Sequence, residues 1–232
     1  MTVPLASRSG EAGGRWRLLR HDPGGRAWNM AVDEALLRSS PVPLLRIYAW
    51  EEAAVSIGYF QRWAEVPQGR PFVRRWTGGG LVDHAADLTY TAIVPRSHPV
   101  ARLSTLEVYR LFHTAVCLAL QSIGVSAQLA AESEAEPSAR CFARPVRFDV
   151  MMAGKKIAGG AQRHAREGLL HQGSILWPEA ADRSRIASAL PAGFARCLAA
   201  DLLPERLTPE EARLAEQLER ERYATDWWNR QR

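Results

Sequence analysis

Strand-like and helix-like runs are interspersed along these 232 residues without strict strand–helix–strand alternation. That irregularity sets the fold class as α/β of the mixed α+β kind, with a mixed, largely antiparallel sheet flanked by helices. Strands are expected over 44–50, 53–60, 71–76 and 87–95, and again over 147–153, 156–163 and 168–177. The first two are expected to be joined by a tight Glu51-Glu52 turn, and Ala153-Gly154 separates the later pair. Asn29 is expected to cap a helix over 30–39, with Asp33 and Glu34 near its positive end. The clearest helix runs over 104–123: Ser104 and Glu107 form a capping box, and Leu106, Tyr109, Phe112, Val116, Leu120 and Ile123 recur at helical spacing before Gly124. Thr208 and Pro209 open a helical tail. Residues 15–180 are read as the core and 181–232 as a helical C-terminal appendage of the same domain. Residues 1–14 are expected to be loose.

Several classes are excluded by composition. At 47% apolar residues the chain can bury a full core, yet no run approaches the roughly 20 residues that span a bilayer. The first residues lack an apolar signal core, so a cytoplasmic protein with no membrane partner is expected. Three cysteines, an odd number and widely spaced, fit neither a disulfide framework nor a zinc cluster. No metal is expected. The net charge of +5 is carried by arginine, Lys155 and Lys156 being the only lysines. It reflects either a GC-rich genome or an attraction to acidic partners. Zinc-finger, RNP-type and homeodomain patterns are absent, and no nucleic-acid partner is expected.

The residues able to do chemistry are few. Cys117 and Cys197 sit in apolar surroundings and read as core. Cys141 follows a polar loop and has Arg140, Arg144 and Arg147 nearby, a setting that suits either a structural or a reactive thiol. Lys156 opens a strand ending in Gly159 and Gly160. Neighbours on a strand point oppositely, so Lys156 is placed inward and Lys155 outward. A second glycine-rich segment, RRWTGGGLVDHAADLTY at 74–90, reads as a turn between strands or as part of an acyl pocket, and its His84 as structural or functional. It matches no Walker or dinucleotide pattern. A Ser/His/Asp hydrolase reading finds no G-x-S-x-G elbow, and metal-ligand spacings are missing. Trp227 and Trp228 read as core or as an interface anchor.

The segments NMAVDEALL (29–37), LRIYAWEEAAVSIGYFQ (45–61), RRWTGGGLVDHAADLTY (74–90) and KKIAGGAQRHAREGLLHQGSIL (155–176) occur in one order. With them the chain resembles the lipoate/octanoate branch of the biotinyl/lipoyl protein ligase and transferase family. Cys141-Phe142 ahead of GKKIAGGAQ, and DLTYT at 87–91, are similar to the cysteine-dependent octanoyltransferases. The resemblance implies a biotinyl/lipoyl protein ligase-like catalytic domain. It further implies that Cys141 takes an octanoyl group from octanoyl-acyl carrier protein as a thioester and passes it to a lysine of a lipoyl domain or glycine-cleavage H protein. Lys156 would lower the thiol pKa, and neither ATP nor a cofactor is required. The same resemblance makes Arg74, Thr77, Gly78, Gly79, Gly80, His84, Gly159, Gly160, Gln162, His171 and Gly173 the substrate-binding set. Backbone donors near the two glycine runs would stabilise an oxyanion.

Four departures are visible. Gly80 completes a GGG typical of ligases where the cysteine subgroup has arginine, and His171 stands one position ahead of the usual histidine-glycine pair. Val146 replaces a serine, and Arg147 with Asp149 is ligase-like. An ATP-dependent lipoate–protein ligase, an octanoyl amidotransferase between H protein and lipoyl domains, and a catalytically idle lipoyl-domain binder are the competing readings.

Overall fold

Long strands buried on both faces need a covering layer on each side, and two helical layers provide it. A computed structural model describes residues 13–133, 145–177 and 179–232. Its strands are β1 (Arg15–Arg20), β2 (Leu44–Tyr48), β3 (Val55–Ile57), β4 (Phe72–Arg74), β5 (Val82–Asp83), β6 (Asp87–Pro95), β7 (Gln128–Leu129), β8 (Val150–Met152), β9 (Lys155–His164), β10 (Gly168–Leu176) and β11 (Asp201–Glu205). The helices are α1 (Arg26–Ser39), α2 (Thr105–Ser122), α3 (Ala180–Leu198), α4 (Pro209–Leu218) and α5 (Asp226–Asn229).

Eight strands form one sheet in the order β11-β1-β2-β6-β10-β9-β8-β7, and β4-β3-β5 form a smaller one. In the large sheet β1 runs parallel to β11 and β2, and every other pairing is antiparallel. One face packs Leu45, Tyr90 and Val94 against Phe112 and Val116 of α2 and Leu190 and Phe194 of α3. The other packs Leu44, Ile93 and Leu170 against Met30 and Leu36 of α1 and Leu218 of α4. The helices α2 and α3 approach closely at Gly193, where a Cβ would lie 2.3 Å from the Ala115 carbonyl oxygen.

The capping box is present: Glu107 N–H donates to Ser104 Oγ at 3.3 Å, and Ser104 N–H donates to Glu107 Oε2 at 2.9 Å. Asn29 is not the cap of α1. That helix starts a turn earlier, after Gly25, and Asn29 lies inside it, donating to the carbonyls of Gly24 and Ala49. Asp33 and Glu34 are likewise mid-helix and paired with Arg46 and Arg222. The strands on either side of Glu51-Glu52 do not form a hairpin either, because β2 and β3 belong to different sheets.

The tail is more than helical. Strand β11 includes Pro204 and pairs with β1 at the sheet edge, while α3 adds Ile186, Leu190 and Leu198 to the core. Buried Arg17 of β1 reaches Glu205 and Glu211 in that tail at 2.7 Å and 2.5 Å.

Candidate active site

Where β9 and β10 face the smaller sheet and α1, the packing leaves a small cavity that opens to solvent. Gly159, Gly160 and Gly173 form one wall, and Trp50, Ser56, Arg75 and His84 form another, with Met30 between them.

Lys156 stands behind the glycine wall. Its side chain is almost completely buried while Lys155 is exposed, as strand alternation requires. Nζ lies 2.8 Å from Asp149 Oδ2. A Cβ on Gly159 would fall 2.7 Å from Lys156 Cε and 2.8 Å from Nζ, so the missing side chain is what admits the ammonium to this position. Asp149 is held by Tyr109 Oη–H (2.6 Å) and Val146 N–H (2.7 Å), and Tyr109 Oη accepts from Gly160 N–H (3.1 Å). Phe148, next to Asp149, has φ 71°, a left-handed backbone uncommon for a bulky residue. Its carbonyl accepts from His113 Nδ1 at 2.7 Å.

On the facing wall, His84 sits between a hydroxyl and a carboxylate. Ser56 Oγ is 2.8 Å from His84 Nε2, and Asp87 Oδ2 is 2.8 Å from Nδ1. Trp50 stacks on the imidazole at 3.8 Å. Arg75 Nη1 donates to Ser56 Oγ at 2.9 Å, while Nη2 donates to the carbonyls of Gly78 and Gly80. A Ser/His/Asp constellation therefore exists without a nucleophile elbow. Ser56, Arg75 and Trp50 were not among the residues expected from sequence. The only cue was the SIGYF run, whose Gly58 is forced by packing: a Cβ there would fall 2.0 Å from the Gly79 carbonyl oxygen.

The expected residues divide between the cavity and its surroundings. His84, Gly159, Gly160 and Gly173 line it. Thr77 is buried and donates to Gln172 Oε1 at 2.7 Å; Gln172, itself on the wall, donates to Asp33 Oδ2 at 2.7 Å. Gly79 takes φ 85° in the turn, where glycine is at home. Arg74 is placed elsewhere. Its guanidinium is buried and donates to the carbonyls of Gly58, Tyr59, Gln61, Trp228 and Asn229.

His171 also faces away from the cavity, toward α2. Its Nε2 meets Tyr90 Oη at 3.1 Å, and Nδ1 donates to Gln162 Oε1 at 3.2 Å with the amide oriented to suit its neighbours. Burial, with His113 nearby, pushes the His171 pKa well below its usual value, so the ring is neutral.

Burial raises the Cys117 thiol to about 12 and the Cys197 thiol to about 11, which leaves neither as a thiolate at neutral pH. Cys141 lies outside the described residues. Among the described residues no group of three His, Cys, Asp or Glu is arranged for a metal ion, and no helix is long and apolar enough to cross a membrane.

A mixed sheet between two helical layers, with a glycine-walled cavity and a buried lysine on the GKKIAGG strand, defines a lipoyl protein ligase A/B catalytic domain. Residues 26–201 match that family, and the chain belongs to it. Among its relatives is the Octanoyltransferase LipM of Brevibacillus brevis, 35% identical over 94% of this chain and 99% of the relative. Another is the Octanoyltransferase LipM of Kyrpidia tusciae, 36% identical over 92% of this chain and 98% of the relative. Similar solved structures include a lipoate-protein ligase A bound with ATP, with TM-score 0.78 and 26% identity, covering 93% of this chain and 98% of that one. A bi-partite lipoate protein ligase of Thermoplasma acidophilum, described with its E2 lipoyl domain, has TM-score 0.74 and 25% identity over 93% and 96% of the two chains.

Proposed function

We propose that this chain is a protein octanoyltransferase of lipoate biosynthesis. In this reading octanoyl-acyl carrier protein is the donor, a lysine of a lipoyl domain or H protein is the acceptor, and the group rests in between as a thioester on Cys141. The observation that carries the reading is the buried Lys156 ammonium set into the space over Gly159, behind the glycine wall of the cavity, in a chain 94% of which is matched by an octanoyltransferase.

The chemistry follows from charge and bond strength. An ammonium in a low-dielectric wall favours a neighbouring thiolate over a thiol and stabilises the oxyanion that forms when the thioester carbonyl is attacked. Exchange between thioesters is nearly balanced, and the final amide is more stable, so no ATP is needed. Burying each methylene of the chain contributes about 0.8 kcal/mol.

A second reading, ATP-dependent lipoate ligation, is favoured by the likeness to the ATP-bound ligase and by Gly80 and Asp149. One incubation separates the two. With octanoyl-acyl carrier protein alone, the chain gains an octanoyl mass on Cys141 that hydroxylamine removes and that Cys141→Ser lacks. Modification of a lipoyl domain that needs free octanoate and ATP, and that survives Cys141→Ser, replaces the transferase with the ligase.

A further inference from the structure

Acyl transfer to a lysine poses two proton problems, and Lys156 addresses only the thiol. The acceptor has the opposite difficulty: a lysine with pKa about 10.4 arrives as an ammonium without a lone pair. A base on the cavity wall that takes that proton would speed the second half of the transfer. Among the described residues on the wall, His84 is the one imidazole, the side chain best suited to general-base work. Arg75 remains charged, and the Tyr48 hydroxyl is donated to Asp33. His113 and His171 lie on the α2 side of the sheet.

We propose that Ser56, His84 and Asp87 form a proton relay that deprotonates the acceptor amine in the second half of acyl transfer, a role resting on the octanoyltransferase reading. The hydrogen positions follow from the donors around them. Arg75 Nη1 donates to Ser56 Oγ at 2.9 Å, which directs the hydroxyl hydrogen at His84 Nε2, 2.8 Å away. His84 Nδ1 then carries the hydrogen that Asp87 Oδ2 accepts at 2.8 Å. Thr89 and Ser174 donate to the same oxygen at 3.0 Å and 2.6 Å, and Oδ1 is buried without a hydrogen-bond partner. That arrangement orients the ring and fixes which nitrogen faces Ser56. Trp50, stacked on the ring and donating to Thr89 Oγ1 at 2.8 Å, fixes its plane. The other charged groups near the ring are Arg75 and Asp83, the latter paired with Arg70.

The step balances. The ammonium gives one proton through Ser56 Oγ to His84 Nε2, and the amine adds to the thioester carbonyl. The C–N bond forms, the C–S bond breaks, and the second nitrogen proton goes to the departing thiolate. The products are the amide, a thiol and an imidazolium. Ser56 and His84 are catalytic residues in this scheme, and Asp87 is a positioning residue.

The test separates the two half-reactions. The full chain is loaded from octanoyl-acyl carrier protein and then chased with a lipoyl domain, both steps followed by intact mass from about pH 6.5 to about pH 9.5. His84→Gln and Ser56→Ala are expected to lose less than about tenfold in loading, with no pH trend. Their chase slows about 100-fold or more near neutrality, and the deficit shrinks toward alkaline pH as the amine sheds its own proton. Asp87→Asn loses part of the chase rate with the same pH trend. Should His84→Gln fail to fold, Ser56→Ala, which removes one atom, carries the test. A chase at wild-type rate, a deficit shared equally by loading, or a deficit unchanged with pH overturns the relay alone. A wild-type chain that accepts no octanoyl group overturns the transferase reading, and the relay with it.

Discussion

Tyr90 occupies the space that a side chain on Gly173 would need. The two stand opposite each other on β6 and β10, and a Cβ on Gly173 would fall 2.2 Å from Tyr90 Cε1 and Cζ. Tyr90 is fully buried and touches the rings of His171 and Phe194, so it has nowhere to go. Gly173→Ala is expected to destabilise the chain by about 1–3 kcal/mol or more. Denaturant unfolding measures it, and Tyr90→Leu in the same chain should recover part of the loss. Additive losses would show that the ring is not what excludes the methyl.

Gly159→Ala is expected to behave differently, because its methyl meets the movable end of Lys156 and not a fixed ring. Stability should change by less than about 1 kcal/mol. Octanoyl transfer should fall about 100-fold, the scale of a displacement near 1 Å at a reacting centre. Paired melting and single-turnover measurements decide it, and unchanged transfer would remove the amine from the chemistry.

Arg74 and Arg75 are adjacent yet should fail in different assays. Arg74→Lys keeps a charge but cannot supply the donors that reach five carbonyls. A stability loss of about 2–4 kcal/mol is expected. The KM for the acyl donor should stay within about threefold where the variant is folded. A large rise in KM with normal melting would place Arg74 at the substrate instead.

Acid should unfold this protein through its buried histidines. Burial lowers His113 to about 4 and also holds His171 well below its usual value, whereas both titrate near 6.5 in an unfolded chain. Between those values the unfolded state binds protons that the folded state refuses, so stability falls as pH falls. Each ring contributes up to about 1.4 kcal/mol per pH unit in that window. Melting temperature against pH checks the sign, and His113→Asn should give a shallower curve below about pH 6.5.

Local signals were the legible ones. Strand β6 has the bounds its alternation gives, and α2 begins at its capping box. The inward turn of Lys156 follows from period two. Asn29 misled because an asparagine before a helical run resembles a cap, whereas its partners Ala49 and Arg46 are far along the chain. Strand β1 could not be read from RWRLLR, since Arg17 becomes a buried residue only through Glu205 and Glu211. At the site, the glycine walls were visible in the sequence. Which of Arg74 and Arg75 faces the cavity was not, because that depends on β4 lying beside β3 and on α5 supplying carbonyls to Arg74. The Ser56–His84–Asp87 alignment likewise joins residues that no single motif spans.

The two borders of the large sheet share a property. On one side β11 is five residues long and interrupted by Pro204, and on the other β7 has only two residues. A proline lacks the amide hydrogen a docking strand would use, and two residues offer too short a ladder to recruit one. Concentrated solutions of the folded protein should therefore resist growth into fibrils by strand addition, despite the many buried, β-prone segments inside.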